Sequence, residues 1–416
     1  MKQAYQSELA LMPHILGMER RGVCLDIEAL ERDVDYYFSK LEELDELICG
    51  QVGRIVDVDS NAELADAIEH KGLSTGFQTT PTGKRSTSKE SLIGAIGDST
   101  LLGRLLVRGS LATSLRTFMH PWLLQAQSHG KLFIKWNQIR NYSDTGARTG
   151  RLSSSPNLQN IPVTWEALRA QLAKISYKLE FDLPNIRSYV IPKPGMVFIG
   201  RDYSAQEMKL LAHFTNGGLL ESLRADPGKD IHRIAADIAG ITRTVAKTLG
   251  FAVLYGAGVG RIAESLSIGV GEAAAIKRKY LAALPEIKVF QQELTEAGKS
   301  GRYIETLGGR QYYVEAPKVV NGIFRTFEYK LTNYKIQGSA ADQTKRAMLD
   351  YCRTTRYGEL VLSVHDQLVI QCPEEHQQEG RIHLERAMNG AFQETLRYEV
   401  RSDESIGNNF GNMIAT

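Results

Sequence analysis

Two aspartates, Asp202 and Asp366, each close an apolar, β-rich run, MVFIGRD (196–202) and LVLSVHD (360–366). Either alone reads as a turn residue. The chain between them changes that reading, because Arg243, Lys247, Phe251 and Tyr255 recur at steps of four. Each step advances about 400° around a helix of about 3.6 residues per turn, so the four drift by only ~40° per step and form one stripe. A core stripe would not begin with Arg and Lys, and a solvated stripe would not finish with Phe and Tyr. Two cations followed by two aromatics suit a ligand with a polyanionic tail and a flat ring, namely a nucleoside triphosphate. Gly256, Gly258 and Gly260 follow this helix rather than precede it and lack a GKS/T, so they read as a helix stop and turn, not a phosphate loop.

The elements that must position these residues have their own signatures. MVFIGRD predicts a short strand ending in its carboxylate, and helical stretches follow to about residue 300. YIETLGGRQYYV (303–314) and LVLSVHDQLVIQC (360–372) predict hairpins, the second with His365 and Asp366 at its turn. Upstream, Leu30, Val34, Tyr37, Leu41, Leu44 and Ile48 alternate at steps of four and three, which predicts an amphipathic helix over 27–50 capped by Asp26. Fewer than three heptads is short for an independent coiled coil, so this helix is expected to pack within the chain. A second helix is expected around 61–71. Ser, Thr, Gly and Pro make up 12 of the 19 residues over 73–91, the composition of a mobile surface segment. Seven Lys or Arg against two acidic residues over 71–116 make the N-terminal lobe basic. The pattern is mixed α+β.

The chain has 416 residues, enough for two to four domains or one multi-lobed enzyme, and its 43% apolar and 24% charged content excludes wholesale disorder. With a formal net charge of only +2, an anionic partner must be held by a local basic surface. Cys24, Cys49, Cys352 and Cys372 are scattered, with neither a CxxC pair nor a His at metal-ligand spacing, which argues against a disulfide scaffold or zinc finger and for a reducing compartment. No signal-peptide block or ~20-residue apolar run is present, so a soluble, cytoplasmic protein without a membrane partner is expected.

The motifs then converge. DYSAQE (202–207), the fingers pattern of Arg243, Lys247, Phe251, Tyr255 and Gly256, and VHD (364–366) stand in order with TGRLSS (149–154), PNLQNIP (156–162), DIH (230–232), ETLGGR (305–310) and QGSAAD (337–342). This ordered set resembles the polymerase domain of family A DNA polymerases over about residues 140 to 412, and MERRGVCLD (18–26) resembles the family's lead into the thumb. The resemblance implies an α+β right-hand fold with an antiparallel-sheet palm and helical fingers and thumb. Its expected division is a lead-in and thumb over 1–130, palm over 131–215 and 302–416, and fingers over 216–301. It implies template-directed addition of dNTPs to a primer 3′-hydroxyl by two-metal-ion nucleotidyl transfer. Asp202 and Asp366 would bind two Mg²⁺ ions, with the Tyr203 carbonyl completing a metal shell. His232, Arg243 and Lys247 would hold the triphosphate, Lys247 also donating a proton to pyrophosphate. Phe251 and Tyr255 would flank the base and sugar, and Glu207 with Tyr255 would close the space a 2′-hydroxyl needs. Arg151, Asn157, Gln159, Gln337 and His365 would face the primer–template minor groove, whose acceptors are nearly sequence-independent.

Some positions depart from the family. Gln367 stands where bacterial enzymes usually carry a third carboxylate, and an amide supplies no full anionic charge. Met208-Lys209 replaces Leu-Arg, conserving charge but not geometry. RLSSSPNLQN is one residue shorter than the common bacterial form. Nuclease domains are expected to be absent, since Asp26-Ile27-Glu28 mimics an exonuclease DxE without partner carboxylates. The expected partners are primer–template DNA and dNTPs, for a monomer served by a separate exonuclease or processivity factor. Two rivals stand beside this reading: a single-subunit RNA polymerase, opposed by Glu207 and Phe251, and a DNA-binding accessory protein that has lost catalysis, opposed by Asp202, Asp366, Arg243 and Lys247.

Overall fold

The computed structural model describes residues 2–80, 83–141, 143–320 and 322–415. Helix α1 (Lys2–Arg21) opens the chain, and α2 (Ile27–Val52) starts where the Asp26 side chain accepts from the Ala29 N–H. All six periodic positions of α2 are buried, as its amphipathic pattern predicts, and α2 packs along α3 (Ser99–Thr113). The buried Arg108 guanidinium of α3 donates to Asp45 at 2.7 Å and to Asp59 at 2.5 Å, tying the basic N-terminal lobe together. The expected second helix runs over Asn61–His70. Over 73–91 the described residues are irregular until a seven-residue helix, Lys89–Ala95, begins inside the expected mobile segment because Ser88 caps it; residues 81 and 82 lie outside the described set.

A five-stranded antiparallel sheet forms the centre. Its strands are β1 (Met196–Asp202), β2 (Glu359–Val364), β3 (Gln367–Pro373), β4 (Asp403–Gly407) and β5 (Ile414–Ala415), in the order β2-β3-β1-β4-β5. After β1 the chain turns sharply through Ala205 at φ 51° into α4 (Gln206–Thr215). Two helices of the next lobe are α5 (Ile231–Ala239) and α6 (Arg243–Tyr255). The expected hairpin near 303–314 forms between Ile304–Glu305 and Gln311–Tyr312. Helix α7 (Lys330–Thr354) then crosses the middle of the molecule, packed on α1, α4 and α8 (Gln377–Gly390). Among the described residues no helix is long and apolar enough to cross a membrane.

Candidate active site

Strand register brings the distant carboxylates together. Gln367 of β3 lies opposite Asp202 of β1, so the β2–β3 turn, His365-Asp366, sits at the end of β1. His365 adopts φ 56°, the left-handed geometry of a two-residue turn. The Tyr203 N–H donates to the Asp366 carbonyl at 3.4 Å, while the Tyr203 hydroxyl donates to the Met388 carbonyl at 2.7 Å and anchors the corner. The Asp202 and Asp366 carboxyl groups are within hydrogen-bonding reach of each other. Burial, followed by the charge of Asp366 and then of Asp403, pushes the Asp202 carboxyl up to about 7. Such a pair carries more negative charge than the protein neutralises.

Facing the pair is a cleft of about 510 Å³. Arg243, Lys247 and Phe251 of α6 line one wall, as the spacing of four predicts, with His232 of α5 beside them. Thr242 caps α6 by accepting from the Val245 N–H, and Gly256 ends it at φ 65°. Asp230 caps α5 through the His232 N–H at 2.7 Å and also accepts from the Arg243 Nε at 2.8 Å, so one carboxylate joins the two helices. The His232 Nδ1 is buried with no hydrogen-bond partner, and burial lowers the imidazole pKa. The His232 and Phe251 rings lie 5.8 Å apart, and those of Phe251 and Tyr255 6.2 Å apart. The stripe thus lies on one face.

At the other end of the stripe the Tyr255 hydroxyl donates to Glu207 at 3.1 Å, and Arg151 donates to the same carboxylate at 2.5 Å. Gln337 Nε2 donates to the Tyr255 hydroxyl at 2.8 Å. Glu207 is 7% exposed, so it is a buried acceptor shared by donors from two other segments rather than an exposed helix-start carboxylate. Gln159 instead accepts from Ser154 Oγ at 2.5 Å and donates to the Ser363 carbonyl at 2.9 Å, which ties it to strand β2. Asn157 and His365 are exposed.

Sequence reasoning did not single out Asp403, which β4 places directly opposite Asp202, nor the second part played by Asp230. RSDESIG has no clear apolar alternation, so its pairing with β1 had no sequence signal. The stacking of charge at Asp230 was hinted at only by DIH standing 11 residues before Arg243. Among the described residues no group of three or more His, Cys, Asp or Glu side chains is arranged to hold a metal.

Comparison with known proteins places this geometry. The model of DNA polymerase family A matches residues 27–412. The thermostable DNA polymerase I of Thermus filiformis is 32% identical over 405 residues, covering 92% of this chain and 45% of the relative. The DNA polymerase I of Deinococcus radiodurans is 32% identical over 375 residues, covering 86% of this chain and 37% of the relative. The chain therefore spans less than half the length of these curated relatives. The POL domain of Pol1 from M. smegmatis, solved in complex with DNA primer-template and dNTP, superposes with a TM-score of 0.81 at 24% identity, covering 97% of this chain and 70% of that one. A match to the family model over nearly the whole chain, with the motifs meeting in one cleft, settles the relationship: the chain belongs to DNA polymerase family A.

Proposed function

We propose that this chain is a template-directed DNA polymerase that extends a primer 3′-end with deoxynucleoside triphosphates. The observation that carries the reading is the meeting of Asp366, paired with Asp202, and the Arg243–Lys247–Phe251 face of α6 in one cleft. In this reaction the primer 3′-oxygen bonds to the α-phosphorus, the bond from that phosphorus to the β-bridging oxygen breaks, and pyrophosphate leaves. Arg243, Lys247 and the His232 ring provide donors for the triphosphate, and Lys247 is assigned the proton transfer to the leaving group. Phe251 and Tyr255 flank the base and sugar. Glu207, buried under the Tyr255 hydroxyl, fills the place of a ribose 2′-hydroxyl.

The carboxylates fit a pair of Mg²⁺ ions. Mg²⁺ binds through one or two carboxylates together with substrate phosphates rather than in an all-protein cage, so the lack of a third ligand among the described residues is no obstacle. Asp202 and Asp366 would hold the ions with the Tyr203 carbonyl. Such ions acidify the primer hydroxyl and neutralise charge on the triphosphate and pyrophosphate.

Arg151, Asn157, Gln337 and His365 are assigned to the primer–template minor groove, Arg151 and Gln337 being tied by hydrogen bonds to Glu207 and Tyr255. Gln159 is assigned a supporting part through Ser363. We assign residues 1–130 to lead-in and thumb, 131–215 and 302–416 to palm, and 216–301 to fingers, with α1 packed on the palm helix α7. Primer extension with Asp202→Asn and Asp366→Asn tests the reading. Both should lose extension while keeping primer–template affinity, because DNA grip rests mainly on phosphate contacts. Near-normal incorporation by either variant would overturn it.

A further inference from the structure

Lys209 has no part in the machinery described above. It is the fourth residue of α4, 9% exposed, and it lines the cleft that holds Arg243, Lys247 and Asp366. Among the described residues its ammonium group makes no hydrogen bond or ion pair. Burial lowers its pKa, while Asp403 and Asp230 attract it from beyond ion-pair distance and Arg401 repels it. Asp230 is already engaged by Arg243.

Two independent features make this an odd place for a cation. The N-terminal end of a helix carries partial positive charge, which disfavours Lys there and favours an anion. A side chain that is nine-tenths buried, its ammonium reaching only the cleft and holding no protein partner, also opposes folding. Both penalties vanish when an anion with several oxygens enters the cleft. The nearest acceptor of stated chemistry is the polyphosphate of the nucleotide, whose tail the α6 cations face from the opposite wall.

From this we infer that Lys209 is a pyrophosphate-binding residue. It grips the β,γ-phosphates and the released pyrophosphate from the palm side, opposite Arg243 and Lys247. This rests on the polymerase reading above and deepens it. The site is then two-sided, with the fingers helix supplying one set of donors and the first palm helix the other. The ligand completes a charge pairing that Asp403 and Asp230 supply to Lys209 only from beyond ion-pair distance.

Lys209→Met and Lys209→Arg test this. Met keeps the buried aliphatic stem and removes the charge, so the unliganded variant should match or exceed the wild-type Tm. Its affinity for magnesium pyrophosphate, titrated by calorimetry on the whole chain, should fall about tenfold, the size of one charge-assisted contact. The KM for dNTP in primer extension should rise with it, and Lys209→Arg should restore both. Unchanged pyrophosphate affinity in Lys209→Met, with or without a fall in Tm, would overturn the inference and make Lys209 a structural partner of Asp403. If neither protein extends a primer but the variant still loses pyrophosphate affinity, the inference holds and the polymerase reading fails.

Discussion

Glu207 shows what a single residue can decide. Its carboxylate accepts from Arg151 and Tyr255 while buried, so its position is fixed by two donors from different parts of the chain. On the proposed function, a ribose would have to displace it or leave a buried polar group unpaired, at about 1–3 kcal/mol. Glu207→Ala should therefore lower the preference for dNTP over NTP about tenfold to a hundredfold in kcat/KM, measured by single-nucleotide incorporation. An unchanged ratio would return the RNA-polymerase rival. His213 makes a second prediction, in pH. Burial, then Arg397 and Lys335, lower its imidazole to about 4, and its Nδ1 accepts from the Arg397 N–H. Between about 6.5 and 4 the unfolded chain takes up a proton that the folded one refuses, so stability falls as pH drops through that window by up to about 3 kcal/mol. Urea unfolding of His213→Gln, whose side-chain oxygen can still accept, should show a flatter profile. The residues proposed for catalysis stood out in sequence because their chemistry is unusual in pairs and stripes. Asp403 did not, because an isolated Asp reads as solvated surface until burial and register are known, and Lys209 showed only as a charge-conserving replacement with no role attached.

Helix α6 carries the next scale. Its stripe, its Thr242 cap and its Gly256 stop were all readable, since each depends on neighbours within one turn. Gly256 has φ 65°, and a Cβ there would stand 2.7 Å from the Tyr329 ring. Gly256→Ala should cost about 1–3 kcal/mol in denaturant unfolding and raise the KM for dNTP by displacing Tyr255. Adding Tyr329→Ala, at a half-exposed ring, should recover the steric share and leave the backbone share. Strands β1, β2 and β3 were equally visible from their apolar runs. Strand β4 was not, because its pairing depends on a partner some 200 positions away rather than on its own composition.

At the scale of the whole molecule, α1 is fastened to the palm by buried charge. Glu8 accepts from Lys345 Nζ at 2.7 Å and from Arg310, and Arg310 Nε donates to Asp342 at 2.7 Å. Lys345 also donates to the Gln138 carbonyl at 2.8 Å and is 4% exposed. Glu8→Ala would leave that ammonium without its counter-charge, so it should destabilise the fold by about 3–5 kcal/mol in urea. A loss below about 1 kcal/mol would mean that α1 docks by its apolar face alone. Nothing in the sequence announced this cluster, since its members come from four separated segments.

The layout of β1 also sets a timetable. Its two edges are completed by β3 and β4, both encoded far downstream, with Gln367 and Asp403 the residues that flank Asp202. At ~5–20 residues per second on a ribosome, roughly 10–40 s separate the synthesis of Asp202 from that of Asp403. Until β3 is made the apolar run MVFIG has two open edges, and one stays open until β4 follows, the kind of segment that recruits foreign strands. The growing chain must be sheltered in this period, and the corner where Asp202, Asp366 and Asp403 meet comes into being only once β4 has been made.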